Sequence, residues 1–412
     1  MNHFEFKKNE LFAENVNIAE LAKEYGTPLY VYSAATFRRH FKAFDSAFNG
    51  LDHLTCFSVK ANSNLSLLKL LAEQGAGMDI VSGGELFRAL KAGVPANRIV
   101  YSGVGKKAYE IAEALKSDIL MFNVESVAEL HNINDVAISM NKTARISFRI
   151  NPDVDPKTHP YISTGMKKNK FGLDMETALT AYTTAKELSN IEPIGMDCHI
   201  GSQLTTIEPF LEALDKLLAF KDKLSDIGIE ITHLDLGGGL GITYDDEQPP
   251  HPKEFGEALT KALEDQNLKV ILEPGRVISG NAGILVTEII YTKNTPTKNF
   301  LIVDAGMNDL IRPSLYQSYH NISEVVKHER PNVEVDIVGP ICESGDFLAH
   351  DRELPEMKQG ELLAVYSAGA YGFTMSSNYN SRLRAAEIIV DEDDIIVARR
   401  RETYEDLLNL ES

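Results

Sequence analysis

The amino-acid sequence predicts an α/β fold: a (β/α)8 barrel followed by a mainly β carboxy-terminal domain. Three observations predict it. Apolar, strand-like runs alternate with helix-periodic stretches from about residue 54 to residue 273. After Arg276 the helical stretches give way to short β-rich segments divided by turns rich in Gly, Pro, Asn and Asp. The residues equipped for chemistry fall at the carboxyl ends of strands one, two, six, seven and eight, which in a closed barrel share one rim. A doubly wound open sheet is the alternative, and the shared rim favours the barrel.

In chain order, residues 18–25 place Ile18, Leu21 and Ala22 on one helical face until Gly26-Thr27-Pro28 stops the helix. Residues 29–32 read as a strand. Ser33 is the N-cap of a helix over 34–48, in which Phe37, Phe41, Phe44 and Phe48 recur at helical spacing as a core stripe. Eight barrel strands are expected near 54–59, 77–81, 98–102, 119–123, 144–150, 194–200, 231–236 and 269–273. Seven helices intervene, among them 65–73, 85–91, 124–136, 175–188, 209–224 and 252–264. The β-rich part is expected at 284–291, 300–304, 333–338, 361–366, 387–390 and 395–399, with short helices at 314–319 and 404–408. The division expected is 33–280 for the barrel and 281–412 for the β domain, joined by residues 1–32.

A chain of 412 residues has room for two or three domains and a large core. Its net charge of −19 argues against a nucleic-acid partner, because phosphate backbones are held by clustered Lys and Arg. No apolar run reaches the roughly 18 residues of a membrane span. The first eight residues lack the basic-then-apolar order of a secretion signal, so a cytoplasmic location is expected. Cys56, Cys198 and Cys342 are an odd number without CxxC spacing, which points to neither a disulfide nor a metal. Cys56 and Cys198 lie in apolar runs as packing residues, whereas Cys342 lies in the polar loop 339–346, where a thiol can react.

Lys60 stands at the end of the apolar run 54–59. An amine there can leave water, lose its proton more easily and form a Schiff base with an aldehyde. Alone it would be an ordinary surface lysine. Three further motifs change that reading, each after another apolar run: His199-Ile200-Gly201-Ser202-Gln203, Gly237-Gly238-Gly239 and Glu273-Pro274-Gly275-Arg276. Together they suit pyridoxal 5'-phosphate. Glycines let backbone N–H groups approach a phosphate, and Gly275 and Arg276 complete the cradle. Glu273, set against a pyridine nitrogen, would keep that nitrogen protonated, so that the ring could accept an electron pair. Asp79 and Glu85 admit two readings: acids near Lys60, or an N-cap and a first-turn charge of the following helix.

These motifs, with the segment from Gly26 to Tyr32 before them and Tyr379-Asn380-Ser381-Arg382 after them, resemble the diaminopimelate decarboxylase family. Its members are pyridoxal-phosphate enzymes of the alanine-racemase and ornithine-decarboxylase fold group. The resemblance spans nearly the whole chain and implies a cofactor-bearing barrel, a β domain and a homodimer with shared active sites. It implies that Lys60 holds the cofactor, that His199 stacks on its ring, and that Ser202, Gly238, Gly239, Gly275, Arg276 and Tyr371 contact it. Racemases of this fold place an arginine where Glu273 stands, so Glu273 favours decarboxylation. The resemblance further implies that Arg276, Arg312 and Tyr316 bind the substrate's far carboxylate and Glu343 its far amine. It also implies that Tyr371 touches substrate as well as phosphate, and that Cys342 is the acid that protonates the carbanion. Cys342 and Glu343 would come from the partner subunit. One departure is visible, since Leu383 follows Arg382 where the family often has proline. Residues 151–155 and 158–165 are also family-like and receive no chemical step.

The reaction implied is decarboxylation of meso-2,6-diaminopimelate to L-lysine and carbon dioxide, the last step of lysine biosynthesis. A decarboxylase of ornithine or arginine would share Lys60, His199 and the glycine motifs. Arg312 and Glu343 discriminate, because a substrate with only a distal amine gives an arginine nothing to pair with. A non-catalytic carrier of the cofactor would need neither the Cys342-Glu343 pair nor the second domain.

Overall fold

The computed structural model describes residues 2–155 and 170–411, so the stretch 158–165 lies outside the described residues. Eight parallel strands close into the expected barrel: β1 (His53–Ser58), β2 (Gly77–Ile80), β3 (Ile99–Tyr101), β4 (Met121–Val124), β5 (Ala144–Arg149), β6 (Ile191–Asp197), β7 (His233–Asp235) and β8 (Lys269–Leu272). Each pairs with the next and β8 returns to β1, with Ile271 opposite Leu54. The helices Leu65–Glu73, Gly83–Lys91, Ala108–Ser117, Val127–Ser139, Met175–Glu187, Glu208–Asp226 and Pro252–Leu263 alternate with them. Their starts follow ordinary capping chemistry: the side chains of Asn64, Ser82, Ser126 and Asp174 each accept a first-turn N–H.

Side chains two residues apart on a strand share a face. Leu54 and Cys56 on β1 join Val100, Met121 and Ile271 in one buried apolar cluster. One further stride of two residues from each strand's apolar member reaches Ser58, Ser102, Asn123 and Glu273, all buried and all polar. The barrel interior therefore changes from apolar to polar toward the carboxyl ends of its strands. Cys56 and Cys198 are buried packing residues, as expected, and burial pushes both thiols up.

The other compact unit contains the described residues up to His40, Thr243–Glu247 and the chain from Ile278 onward. Its sheet runs in the order Phe347–Pro355, Asn332–Val338, Asn299–Val303, Gly283–Asn294, Leu29–Ser33, Ala386–Asp391 and Asp394–Arg399. Leu362–Val365 also pairs with Gly283–Asn294 and carries Ile322–Glu324 on its other side. The early strand Leu29–Ser33 thus sits inside the sheet, antiparallel to Gly283–Asn294 and parallel to Ala386–Asp391. The helix Ile18–Tyr25 has its expected bounds, and Asn17 caps it by accepting the Ala19 N–H at 2.8 Å. Thr36 N–H donates to Ser33 Oγ at 3.0 Å, the capping contact expected of Ser33.

Three local expectations are corrected. The helix over 34–48 is α-helical only to Asp45 and tightens to a 3-10 turn over Ser46–Phe48, although all four phenylalanines are buried. The helix expected at 314–319 spans Arg312–Tyr316, because Pro313 suits a first turn and Gln317 adopts a left-handed φ of 53° that stops it. Phe347–Pro355 is a strand the sequence reading missed. Its apolar alternation is broken where Asp351, at φ 49°, accompanies a shift in register against Asn332–Val338.

Candidate active site

β1 ends at Ser58 and turns at once into Val59–Ala61, which carries Lys60. Lys60 Nζ pairs with Asp79 Oδ2 at 2.5 Å, and the same oxygen accepts the Ser58 hydroxyl at 2.7 Å. Asp79 is fully buried on β2, so of its two readings the structure gives the partner of Lys60. The cap belongs to Ser82, whose Oγ accepts the Glu85 N–H at 3.2 Å. Glu85 occupies the first turn, where its Oε2 accepts the Val81 N–H at 2.7 Å and burial pushes its carboxyl up to about 7.

Glu273 follows β8 and is buried. Its Oε1 accepts the Ser102 hydroxyl at 3.2 Å. The Asn123 amide nitrogen lies 3.4 Å from that oxygen and 3.1 Å from Asp235 Oδ2, while its own carbonyl accepts the Ser147 hydroxyl at 2.6 Å. Four carboxylates, Asp79, Asp197, Asp235 and Glu273, are buried in this layer. Burial first, then mutual repulsion, holds Glu273 and Asp197 well above the usual carboxylate range. Asp235 is pushed up to about 6, chiefly by burial. Arg149 is pinned by Glu125 at 3.0 Å. Burial, with the nearby charges of Arg149 and Lys60, keeps His199 well below the usual imidazole range, so its ring is neutral near pH 7. Sequence reading missed Ser102, Asn123, Ser147, Asp197 and Asp235. Their signal was a polar residue ending an otherwise apolar inner face, at the two-residue stride.

The loops after β1, β6, β7 and β8 interlock through glycine. Gly237 and Gly239 have φ of +64° and +113°, in the region that favours glycine. A Cβ on Gly238 would strike the Glu273 carbonyl, and one on Gly239 the Gly201 carbonyl. A Cβ on Gly275 would stand 2.9 Å from that of Ala61, beside Lys60. Leu204 N–H donates to the Gly239 carbonyl at 2.9 Å, and Ile242 N–H donates to Gln203 Oε1 at 3.1 Å, docking the loop after β6 onto the loop after β7. Arg276 donates to Ser202 Oγ at 3.1 Å. Lys60, His199, Ser202, Gly238, Gly239, Glu273, Gly275 and Arg276 are thereby gathered at one rim of the barrel. The rim offers an amine, a cradle for an anion and a buried carboxyl with raised proton affinity.

The remaining expected residues belong to the other unit. Arg312 is buried, with its guanidinium carbon 4.5 Å from the centroid of the Tyr244 ring and Nη1 2.8 Å from His320 Nε2. Tyr316 ends the same short helix. Ser314, between them, donates to the Gly345 carbonyl at 2.6 Å and so ties that helix to the loop carrying Cys342 and Glu343. Both of those side chains are exposed, while buried Asp346 shapes the loop by accepting the Ile341 and Met307 N–H groups at 2.6 Å each. Asn380 Oδ1 accepts the Cys342 N–H at 2.8 Å. Tyr371 is half-buried at a left-handed φ of 56°. The turn in which Leu383 stands where the family often has proline is held by Asn378, which donates to the Arg382 carbonyl at 3.0 Å. Among the described residues no His, Cys, Asp and Glu group is arranged to hold a metal ion, and no helix is long and apolar enough to cross a membrane.

Residues 34–280 match the family described as pyridoxal-dependent decarboxylase, pyridoxal binding domain. The chain is 54% identical to a diaminopimelate decarboxylase of Haemophilus influenzae over 100% of both chains. Its fold is similar to that of diaminopimelate decarboxylase from Helicobacter pylori complexed with L-lysine, at a TM-score of 0.93 and 45% identity over 96% of this chain and 99% of the other. It is also similar to the M. jannaschii diaminopimelate decarboxylase in co-complex with L-lysine, at a TM-score of 0.95 and 40% identity over 100% and 99% of the two chains.

Proposed function

The chain belongs to the diaminopimelate decarboxylases, a family of pyridoxal-dependent decarboxylases, and from that premise we propose how its residues divide the work. The enzyme decarboxylates meso-2,6-diaminopimelate to L-lysine and carbon dioxide, the final step of lysine biosynthesis, using pyridoxal 5'-phosphate.

The barrel rim fits that cofactor on two counts. The glycines let the loops after β6, β7 and β8 cross backbone against backbone, which brings backbone N–H groups that no side chain screens together with Ser202 and Arg276, a donor set suited to a phosphate. The four buried carboxylates create a field that attracts a proton and a cation to the position Glu273 faces. When bound, pyridoxal phosphate supplies a ring that accepts the electron pair left as carbon dioxide departs.

Lys60 provides the amine that holds the cofactor, and Asp79 fixes where that amine stands. Glu273 keeps a proton at the ring nitrogen. His199, neutral, offers a flat face without adding charge. Ser202, Gly238, Gly239, Gly275, Arg276 and Tyr371 hold the phosphate end. Arg276, Arg312 and Tyr316 bind the far carboxylate, Glu343 binds the far amine, and Tyr371 also contacts substrate. Cys342 delivers the proton to Cα. In this reading 33–280 is the cofactor-binding part, and 281–412, joined by 1–32, is the part that carries the further substrate-binding residues. The protein acts in the cytoplasm as a homodimer whose partner subunit supplies Cys342 and Glu343.

The observation that carries this reading is the gathering of Lys60, Glu273 and the glycine cradle on one rim. Carbon dioxide release should be assayed from the separate stereoisomers of diaminopimelate, with ornithine and arginine as controls. Release from the meso isomer alone supports the assignment. Preferential release from ornithine or arginine overturns it.

A further inference from the structure

We infer that His320 is a positioning residue that orients Arg312 toward the substrate's far carboxylate, and that it does so as a neutral imidazole with its proton on Nδ1. The inference deepens the proposed function and rests on its assignment of Arg312.

The tautomer follows from counting hydrogens. A guanidinium has donors only, so His320 Nε2, 2.8 Å from Arg312 Nη1, must offer a lone pair. A carbonyl oxygen only accepts, so Nδ1, 2.8 Å from the Tyr366 carbonyl, must carry the hydrogen. One neutral tautomer satisfies both contacts. The doubly protonated ring keeps the Tyr366 contact but fails at Arg312, where it would aim N–H at N–H between two cations.

The same contacts fix the plane of the guanidinium. One of its nitrogens is tied to the imidazole and one of its faces lies against Tyr244, whose ring meets that of His320 at 78° with centroids 5.3 Å apart. Tyr244 is itself anchored, its backbone N–H donating to Glu247 Oε2 at 2.8 Å. The His320 backbone is held by Arg352, which donates to its carbonyl at 3.2 Å. An imidazole lone pair aligns a guanidinium without cancelling its charge, whereas a carboxylate in the same place would do both. The aligned cation keeps its attraction for an incoming carboxylate, and the fork meets that carboxylate in one orientation.

The test uses the holoenzyme, with L-lysine, which retains the far carboxylate, and cadaverine, which lacks it. The parent should bind L-lysine more tightly than cadaverine. His320→Leu keeps bulk but offers no lone pair, and should weaken L-lysine binding by about tenfold or more while leaving cadaverine unchanged. Its KM for diaminopimelate should rise more than its kcat falls. His320→Gln, which carries an acceptor and a donor on one planar group, should recover most of the loss. Nitrogen-15 spectra of the selectively labelled parent should show Nδ1 protonated and Nε2 bare, a readout that survives even if a variant does not fold. Protonated Nε2 in the parent, or undiminished L-lysine preference in folded His320→Leu, overturns the inference. Equal binding of L-lysine and cadaverine by the parent removes the carboxylate role of Arg312 itself.

Discussion

Lys60 Nζ stands 2.5 Å from Asp79 Oδ2, a partly exposed amine anchored from below by a carboxylate with no exposure at all. The anchor is itself fixed by the Ser58 hydroxyl, so the amine is directed to the barrel rim by two strands rather than by its own flexible chain.

Lys60→Ala should abolish the visible absorbance that bound cofactor gives the purified protein, together with turnover, because a methyl group cannot replace the amine. Borohydride reduction of the parent followed by peptide mass spectrometry should locate the cofactor on Lys60. Label on any other lysine rejects the assignment.

Glu273→Gln keeps shape and burial but cannot carry the negative charge that holds a proton at the ring nitrogen. A fall in kcat of roughly 10²–10⁴-fold is expected, with cofactor content near that of the parent. Parent-like turnover in a fully loaded variant would leave Glu273 without its role.

Cys342→Ala should slow proton delivery more than binding, lowering kcat by roughly 10²–10⁴-fold with a smaller change in KM. Mixing inactive Lys60→Ala and Cys342→Ala proteins under exchange conditions should restore some activity if the partner subunit supplies the thiol. Verified mixed dimers that stay inactive count against sharing.

Arg312→Ala should lose kcat/KM for diaminopimelate by an amount on the order of 2–5 kcal/mol, with a normal cofactor spectrum. Arg312→Lys should recover only part, since it keeps the charge and loses the fork. Decarboxylation of diaminopimelate at the parent rate by Arg312→Ala would favour a basic-amino-acid substrate.

Asp309 gives a pH-dependent prediction away from the chemistry. Its side chain is 1% exposed, its Oδ2 accepts the Gly306 N–H at 3.1 Å, and among the described residues Oδ1 has no partner. Burial pushes the carboxyl from 3.8 up to about 7. Between those values the folded state holds a proton that the unfolded chain has released, so stability falls as pH rises and the full cost is present above pH 7. Asp309→Asn should match the parent near pH 4 and exceed it by about 2–4 kcal/mol above pH 7 in denaturant titrations. A gain that is independent of pH would contradict this cause.

The barrel was legible because period-two runs and helical stretches alternate without interruption, and the glycine motifs because only glycine fits where the loops cross. The carboxylate layer was harder to see. Asp79, Asp197 and Asp235 each look like a strand-end turn residue when taken alone, and only barrel closure turns them inward together. Asn123 and Ser102 act through hydrogen bonds to residues far away in sequence, which no local pattern encodes. In the other unit, Phe347–Pro355 hid because a bulge breaks its alternation. His320 was invisible because its meaning lies in its pairing with Arg312, eight residues earlier, across the end of a helix.

The placement of Leu29–Ser33 between Gly283–Asn294 and Ala386–Asp391 means that this sheet cannot be completed until both later partners have been synthesised. A strand that leaves the ribosome early must wait for neighbours that lie far beyond it in the chain. The barrel strands lie in the chain between Leu29–Ser33 and these partners and pair mostly with sequence neighbours, so they can assemble during synthesis. Until Gly283–Asn294 is made, Leu29–Ser33 is an apolar strand with two open edges, and one edge stays open until Ala386–Asp391 follows, which leaves the nascent chain an exposed template for aggregation.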